Sequence, residues 1–168
     1  MYLNAGLAER KMNELGLKDL PIIEHKPVRT SIPNDWFAQY KKLCHEFMST
    51  LSDCIEEIAL MNLSQEEFID LITGRKISDN LSIRFRIPLV WGGELSVDNM
   101  FMCKTFPHSY NMDRFIILQS GNDIVWLPNP AKKIYLPVST LGGGDGGNGT
   151  EDRLTESIAS QIVADRDM

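Results

Sequence analysis

The sequence contains no apolar run near the roughly 20 residues of a membrane-spanning helix, which predicts a soluble protein without a membrane partner. The charged residues Glu9, Arg10 and Lys11 stand where a secretory leader would need an apolar segment, so we expect no leader. Both absences favour a cytoplasmic location.

Cysteine is scarce, and its spacing shows no pairing. Cys44, Cys54 and Cys103 form an odd set without a Cys-x-x-Cys motif. This pattern predicts free thiols in a reducing compartment rather than disulfides or a zinc site. We therefore expect the protein to hold neither a metal nor a cofactor.

An excess of basic charge is also missing. The net charge is −6, and the acidic excess is greatest in residues 139–168, which have two basic and six acidic side chains. Residues 77–138 are nearly neutral, with six basic and five acidic side chains. A free-standing nucleic-acid binder normally carries the opposite balance, because phosphate contacts use lysine and arginine.

The glycine-rich stretch over residues 141–150 lacks the lysine of a phosphate-binding loop. It follows a predicted strand and precedes a predicted helix, but Asp145, Glu151 and Asp152 would repel phosphate. The composition predicts a flexible tether instead.

Most of the strand signal lies in residues 81–138. Ile83 and Phe85 alternate with Arg84 and Arg86, which is the period of two of a half-buried strand. We expect an antiparallel sheet here, built also from a segment after the Trp91-Gly92-Gly93 bend and from the runs 115–118, 124–127 and 133–138.

Helical periodicity precedes this sheet and predicts an α+β fold. Residues 4–16 form a short helix with Asn4 as its cap, and residues 34–61 form one long helix with a broad apolar stripe. Ser64 and Glu67 match a capping box, which predicts a second helix over residues 64–74.

Both ends of the chain have the composition of arms. Residues 17–33 contain three prolines and predict an extended arm, and residues 150–163 predict a last helix with an apolar stripe. We divide the chain into a helix and arm (1–33), a core domain (34–140) and a tethered helix (141–168). Candidate partner-binding residues on the two arms are Ile22, Ile23, Val28, Leu154, Ile158 and Ile162.

Two groups of side chains suggest chemistry other than assembly. Cys103 and His108 lie five residues apart, and they would form the site of a small cytosolic enzyme or nuclease, although no third residue is identified to orient them. A nucleic-acid-binding adaptor would use Arg84, Arg86, Lys132 and Lys133, but a solvated or salt-bridged sheet face is the simpler interpretation.

The organisation of this chain resembles that of the small neck, connector or tail-completion proteins of tailed bacteriophages. The shared layout is a polar arm, helices, a compact sheet, a glycine tether and a terminal helix. The resemblance implies a non-enzymatic virion subunit, assembled in the host cytoplasm. Its partners would be further copies of itself and other structural proteins of the same assembly. DNA would make passing contact with it, and its negative charge would discourage sticking.

Overall fold

A computed structural model describes residues 1–137. The predicted tether and last helix, with Leu154, Ile158 and Ile162, lie outside the described residues. These residues form helices and small antiparallel sheets, so the predicted α+β class is confirmed. The helices are α1 (Ala5–Glu14), α2 (Trp36–Ser49), α3 (Ile55–Ala59), α4 (Gln65–Ile72) and α5 (Tyr110–Ile117), and the strands are β1 (Ile22–His25), β2 (Leu81–Phe85), β3 (Met100–Lys104) and β4 (Val125–Pro128).

The two short helices predicted from their caps are present. Asn4 caps α1 by accepting a hydrogen bond of 2.9 Å from the Leu7 amide. At α4 the Glu67 amide donates to the Ser64 hydroxyl (3.1 Å), and the Ser64 amide donates to the Glu67 carboxylate (2.9 Å). Because each residue satisfies the other's amide, the helix begins at a fixed position.

The helix predicted over residues 34–61 is interrupted. Its first part, α2, ends at Ser49, a 3-10 turn covers Leu51–Cys54, and α3 follows. The hydroxyls of Ser49 and Thr50 donate to the Glu46 and Phe47 carbonyls (2.6 and 2.7 Å), an alternative to regular helical bonding. Apolar residues continue through the turn, so their spacing alone could not reveal the break.

Within residues 1–137 the strands form two separate two-stranded antiparallel sheets rather than one. β1 belongs to the predicted N-terminal arm, and it pairs with β4 from Ile22 opposite Pro128 to His25 opposite Val125. β2 pairs with β3. A contact over such a distance in sequence leaves no local signal, and this is why the arm did not appear as a strand.

Three predicted strands take other forms. The run 115–118 lies in and just after α5, since a short apolar run does not distinguish a buried strand from a buried helix. The segment after the Gly92-Gly93 bend ends in a 3-10 turn over Val97–Asn99. Of the run 133–138, the described part contributes one parallel bridge, between Ile134 and Met102.

The bend at Gly92 and Gly93 is confirmed, and both glycines are needed there. Gly92 has a φ of +98°, which other residues rarely adopt. A Cβ on Gly93 would lie 1.9 Å from the Ile87 carbonyl oxygen. The bend therefore accepts no side chain at Gly93 unless the backbone moves.

The pair β2–β3 lies at the centre, and both of its faces are covered. We call one the apolar face; it packs against α2, α3 and α4, and its residues are Leu81, Ile83, Phe85, Met100 and Met102. We call the other the mixed face; it lies toward α1 and α5, and its residues are Ser82, Arg84, Phe101 and Cys103. Every residue of β2 is buried.

Candidate functional site

An open groove of about 370 Å³ lies between the arm and the start of α2. Val90 forms part of its wall from the segment that follows β2. The groove is lined by Thr30, Ile32, Pro33, Asn34, Trp36 and Val90. We call it the Trp36 groove.

Backbone hydrogen bonds fix the arm that forms one wall of the Trp36 groove. The Trp91 carbonyl accepts from the Val28 amide (3.2 Å) and lies 2.8 Å from His25 Nε2. Two residues on, the Thr30 hydroxyl donates to the Leu89 carbonyl (3.0 Å). These bonds hold the arm in place, and Ile32 adds a contact with the core.

Helix α2 provides the opposite wall. Its first residue, Trp36, follows Pro33 closely and donates its amide to the Pro33 carbonyl (3.1 Å). Because adjacent residues of a helix point about 100° apart, Trp36 and Phe37 cannot both face the core. Trp36 is half-buried, and Phe37 keeps 44% of its surface exposed.

Exposed apolar side chains and the Lys41 ammonium lie beside the groove. The Phe37 ring centroid lies 5.5 Å from that of Trp36, and Lys41 Nζ lies 4.7 Å from the Phe37 centroid. Val28 is 56% exposed. In residues 26–42 the charged side chains are Lys26, Arg29, Lys41, Lys42 and one acidic residue, Asp35. Such a surface suits an apolar segment with acidic flanks.

The partner residues predicted on the N-terminal arm have different positions. Ile22 and Ile23 lie in β1, opposite Pro128 and Leu127 of their own chain, and both are half-buried. Val28 is exposed beside the bend, close to Gly92. Of these three, Val28 is therefore the one that presents most of its side chain to solvent.

Cys103 and His108 are both buried. Burial raises the pKa of the Cys103 thiol to about 12, and burial, followed by the charge of Lys104, lowers the pKa of His108 to about 4. At neutral pH the thiol therefore keeps its proton and the imidazole is neutral. A cysteine nucleophile needs the thiolate, which this environment disfavours.

An ion pair ties α5 to the mixed face. Arg84 Nη1 lies 2.6 Å from Asp113 Oδ1, and both side chains are almost fully buried. The same Nη1 donates to the hydroxyl (2.9 Å) and the carbonyl (3.2 Å) of Ser109. A buried guanidinium held by a carboxylate and two oxygen acceptors fixes one helix on one strand.

The basic sheet face of the nucleic-acid hypothesis is not present, because Arg84 points into the core. Arg86 is half-buried and donates to the Pro130 and Lys132 carbonyls (2.6 and 3.1 Å). Lys132 pairs with Glu57 (3.3 Å), and Lys133 donates to the Thr50 carbonyl after α2 (3.3 Å). Each of these three cations therefore has an acceptor in its own chain.

Metal-ligating groups of three or more His, Cys, Asp or Glu side chains are absent from residues 1–137. Within the same residues, no helix has the length and apolar character to cross a membrane.

The helix predicted over residues 34–61 includes Trp36, but its apolar periodicity does not reveal the groove. The signal that could have revealed it is the neighbouring pair Trp36 and Phe37 directly after Pro33. Two adjacent aromatic residues at a helix start predict that one of them is left at the surface.

Comparison with known proteins gives no relative: the chain matches no protein-family model, no curated protein and no solved structure.

Proposed function

We propose that this protein is a non-enzymatic structural subunit that assembles with further copies of itself, and that the Trp36 groove is one of its contact surfaces. The observation that supports this most is the combination of an open groove with exposed Phe37 and Val28 beside it. Clustered apolar side chains at a concave surface are typical of protein interaction sites.

The environments of Cys103 and Arg84 favour a structural role over catalysis or nucleic-acid binding. The Cys103 thiol has a pKa raised to about 12 by burial, which is the reverse of what nucleophilic catalysis requires. Arg84 is buried against Asp113, so a phosphate backbone would not reach it. The chain organisation gives the narrower proposal of a ring-forming neck or connector subunit of a tailed phage.

The first experiment measures the mass of the protein in solution. Analytical ultracentrifugation over a wide concentration range should show a homo-oligomer. Phe37→Glu should weaken it, because a charged group would replace an exposed ring. Ile72→Glu is the matched control, since Ile72 is 45% exposed on α4 and should tolerate the same change without loss of assembly.

The outcome that would overturn the proposal is a monomer at every concentration. Equal assembly of the wild type and Phe37→Glu would leave an oligomer but remove the Trp36 groove from its interface.

A further inference from the structure

We propose that the Trp36 groove binds residues 150–163 of a second copy of the chain. This inference rests on the proposed function, because it assigns the contact between copies to one groove and one segment.

Charge complementarity supports this choice of occupant. Residues 139–168 have two basic and six acidic side chains, whereas residues 26–42, which contain five of the six lining residues of the groove, have four basic and one acidic. A second depression, of about 450 Å³ beside α1, has Glu9 and Asp19 in its lining. An acidic segment would be repelled there and attracted to the Trp36 groove.

The apolar residues of the segment match the apolar part of the groove lining, which Ile32, Trp36 and Val90 provide. Leu154, Ile158 and Ile162 recur every four residues. On a helix this spacing places them along one side, about 6 Å apart. A stripe of this kind fits the helix-in-groove mode of recognition, in which the apolar side chains enter the groove and the flanking charges meet its rim.

The described part of the chain ends near the core cluster that also contacts the groove residues Ile32 and Trp36. Leu136 packs against the same core cluster as Ile32 and Trp36. Residues 138–149 connect this point to the segment, and fully extended they reach roughly 40 Å. A tether of that reach allows the segment to contact a neighbouring copy.

A contact between the groove of one copy and the segment of another joins two different surfaces. Such contacts are heterologous, and they repeat around a closed ring or along a filament. Each copy then offers one groove and one segment, and breaking either of them stops growth at that copy.

A complementation experiment with full-length chains tests this arrangement. One variant has a damaged groove (Phe37→Glu), and the other has a damaged segment (Leu154→Asp with Ile158→Asp). Each should assemble with a dissociation constant raised about ten- to a hundredfold, as expected when a central contact is lost. Mixed together, they should form a 1:1 dimer, because one supplies an intact segment and the other an intact groove.

Two results would overturn the inference. In the first, the two variants stay separate on mixing; in the second, each variant assembles as the wild type does. In the second case the wild type is still an oligomer, so the proposed function stands and the assigned contact fails. A monomeric wild type overturns both. Ile72→Glu serves again as the control, and it should form the wild-type oligomer.

Discussion

The two faces of the β2–β3 pair are buried to the same extent by different means. On the apolar face, Ile83 and Met102 pack among the side chains of α2, α3 and α4. On the mixed face, one residue away along β2, Arg84 meets Asp113 of α5 at 2.6 Å. One face depends on close packing and the other on a satisfied charge.

This difference shows the limit of a period-two pattern. Alternation correctly separates Ile83 and Phe85 from Arg84 and Arg86, because successive side chains point to opposite faces. It does not show whether the polar side faces water. Here α5 covers that side and contributes Asp113, which makes burial of the Arg84 charge possible.

The largest effect should come from breaking the ion pair. Asp113→Ala leaves the Arg84 guanidinium buried without its carboxylate, and we expect a loss of about 3–5 kcal/mol in the free energy of unfolding. Chemical denaturation measures it. Arg75→Ala is the control, since the Arg75–Asp70 pair (3.1 Å) has an Arg75 side chain that is 71% exposed and should cost under about 1 kcal/mol.

A double variant separates the charge from the packing. Arg84→Met together with Asp113→Ala removes both charges, so the loss should be clearly smaller than for Asp113→Ala alone. If the double variant were the less stable one, lost volume rather than an unpaired charge would explain the effect.

The corresponding change on the apolar face is Met102→Ala. Met102 is fully buried, and its truncation should cost about 2–5 kcal/mol through lost burial and the remaining cavity. Met102→Leu nearly conserves the volume and should cost less than about 1.5 kcal/mol. Equal losses for the two variants would mean that this face is not closely packed.

Titration of His108 should make the free energy of unfolding depend on pH. Its pKa is lowered by burial from 6.5 to about 4 in the folded protein. The unfolded state therefore binds more protons between about pH 4 and 6.5, so stability falls as the pH decreases through this window. The shift corresponds to a loss of about 3 kcal/mol.

His108→Phe should remove this pH dependence while keeping an aromatic ring beside Tyr135, whose centroid lies 5.2 Å from that of His108. The measurement is the free energy of unfolding at several pH values for both proteins. Parallel curves for the variant and the wild type would show that other groups cause the dependence.

Local signals in the sequence predicted the parts of the fold that local interactions determine. The capping box of Ser64 and Glu67, the Asn4 cap and the Gly92-Gly93 bend all depend on residues within a few positions of one another. Each was recognisable because its residue types have one physical role at that spacing.

The missed features depend on residues far apart in the chain. The β1–β4 pairing joins Ile22 to Pro128, and the Arg84–Asp113 pair joins β2 to α5. The Trp36 groove forms because Thr30 bonds to the Leu89 carbonyl, 59 positions away. None of these contacts leaves a periodicity in the sequence, and only the groove has a local sign, the adjacent Trp36 and Phe37.

The smallest expected effects compare neighbouring residues on the two faces. Ile83→Val removes one methylene from the apolar face and should cost about 0.5–1.5 kcal/mol. On the mixed face the Thr105 hydroxyl donates to the Asp79 carbonyl (3.0 Å), so Ser82 is the donor in the Ser82–Thr105 bond of 2.7 Å. Ser82→Ala therefore leaves no donor unpaired, and we expect a similar cost of about 0.5–1.5 kcal/mol.

Chemical denaturation of these two variants measures whether the two faces differ in stability away from the charged pair. Similar losses would show that a neutral hydrogen bond and a methylene stabilise β2 about equally, so that the mixed face differs only at the charged pair. A loss of about 3 kcal/mol for Ser82→Ala would contradict this, since it would match the upper cost of an unsatisfied polar group. The neutral bonds of the mixed face would then matter as much as Arg84 and Asp113 do.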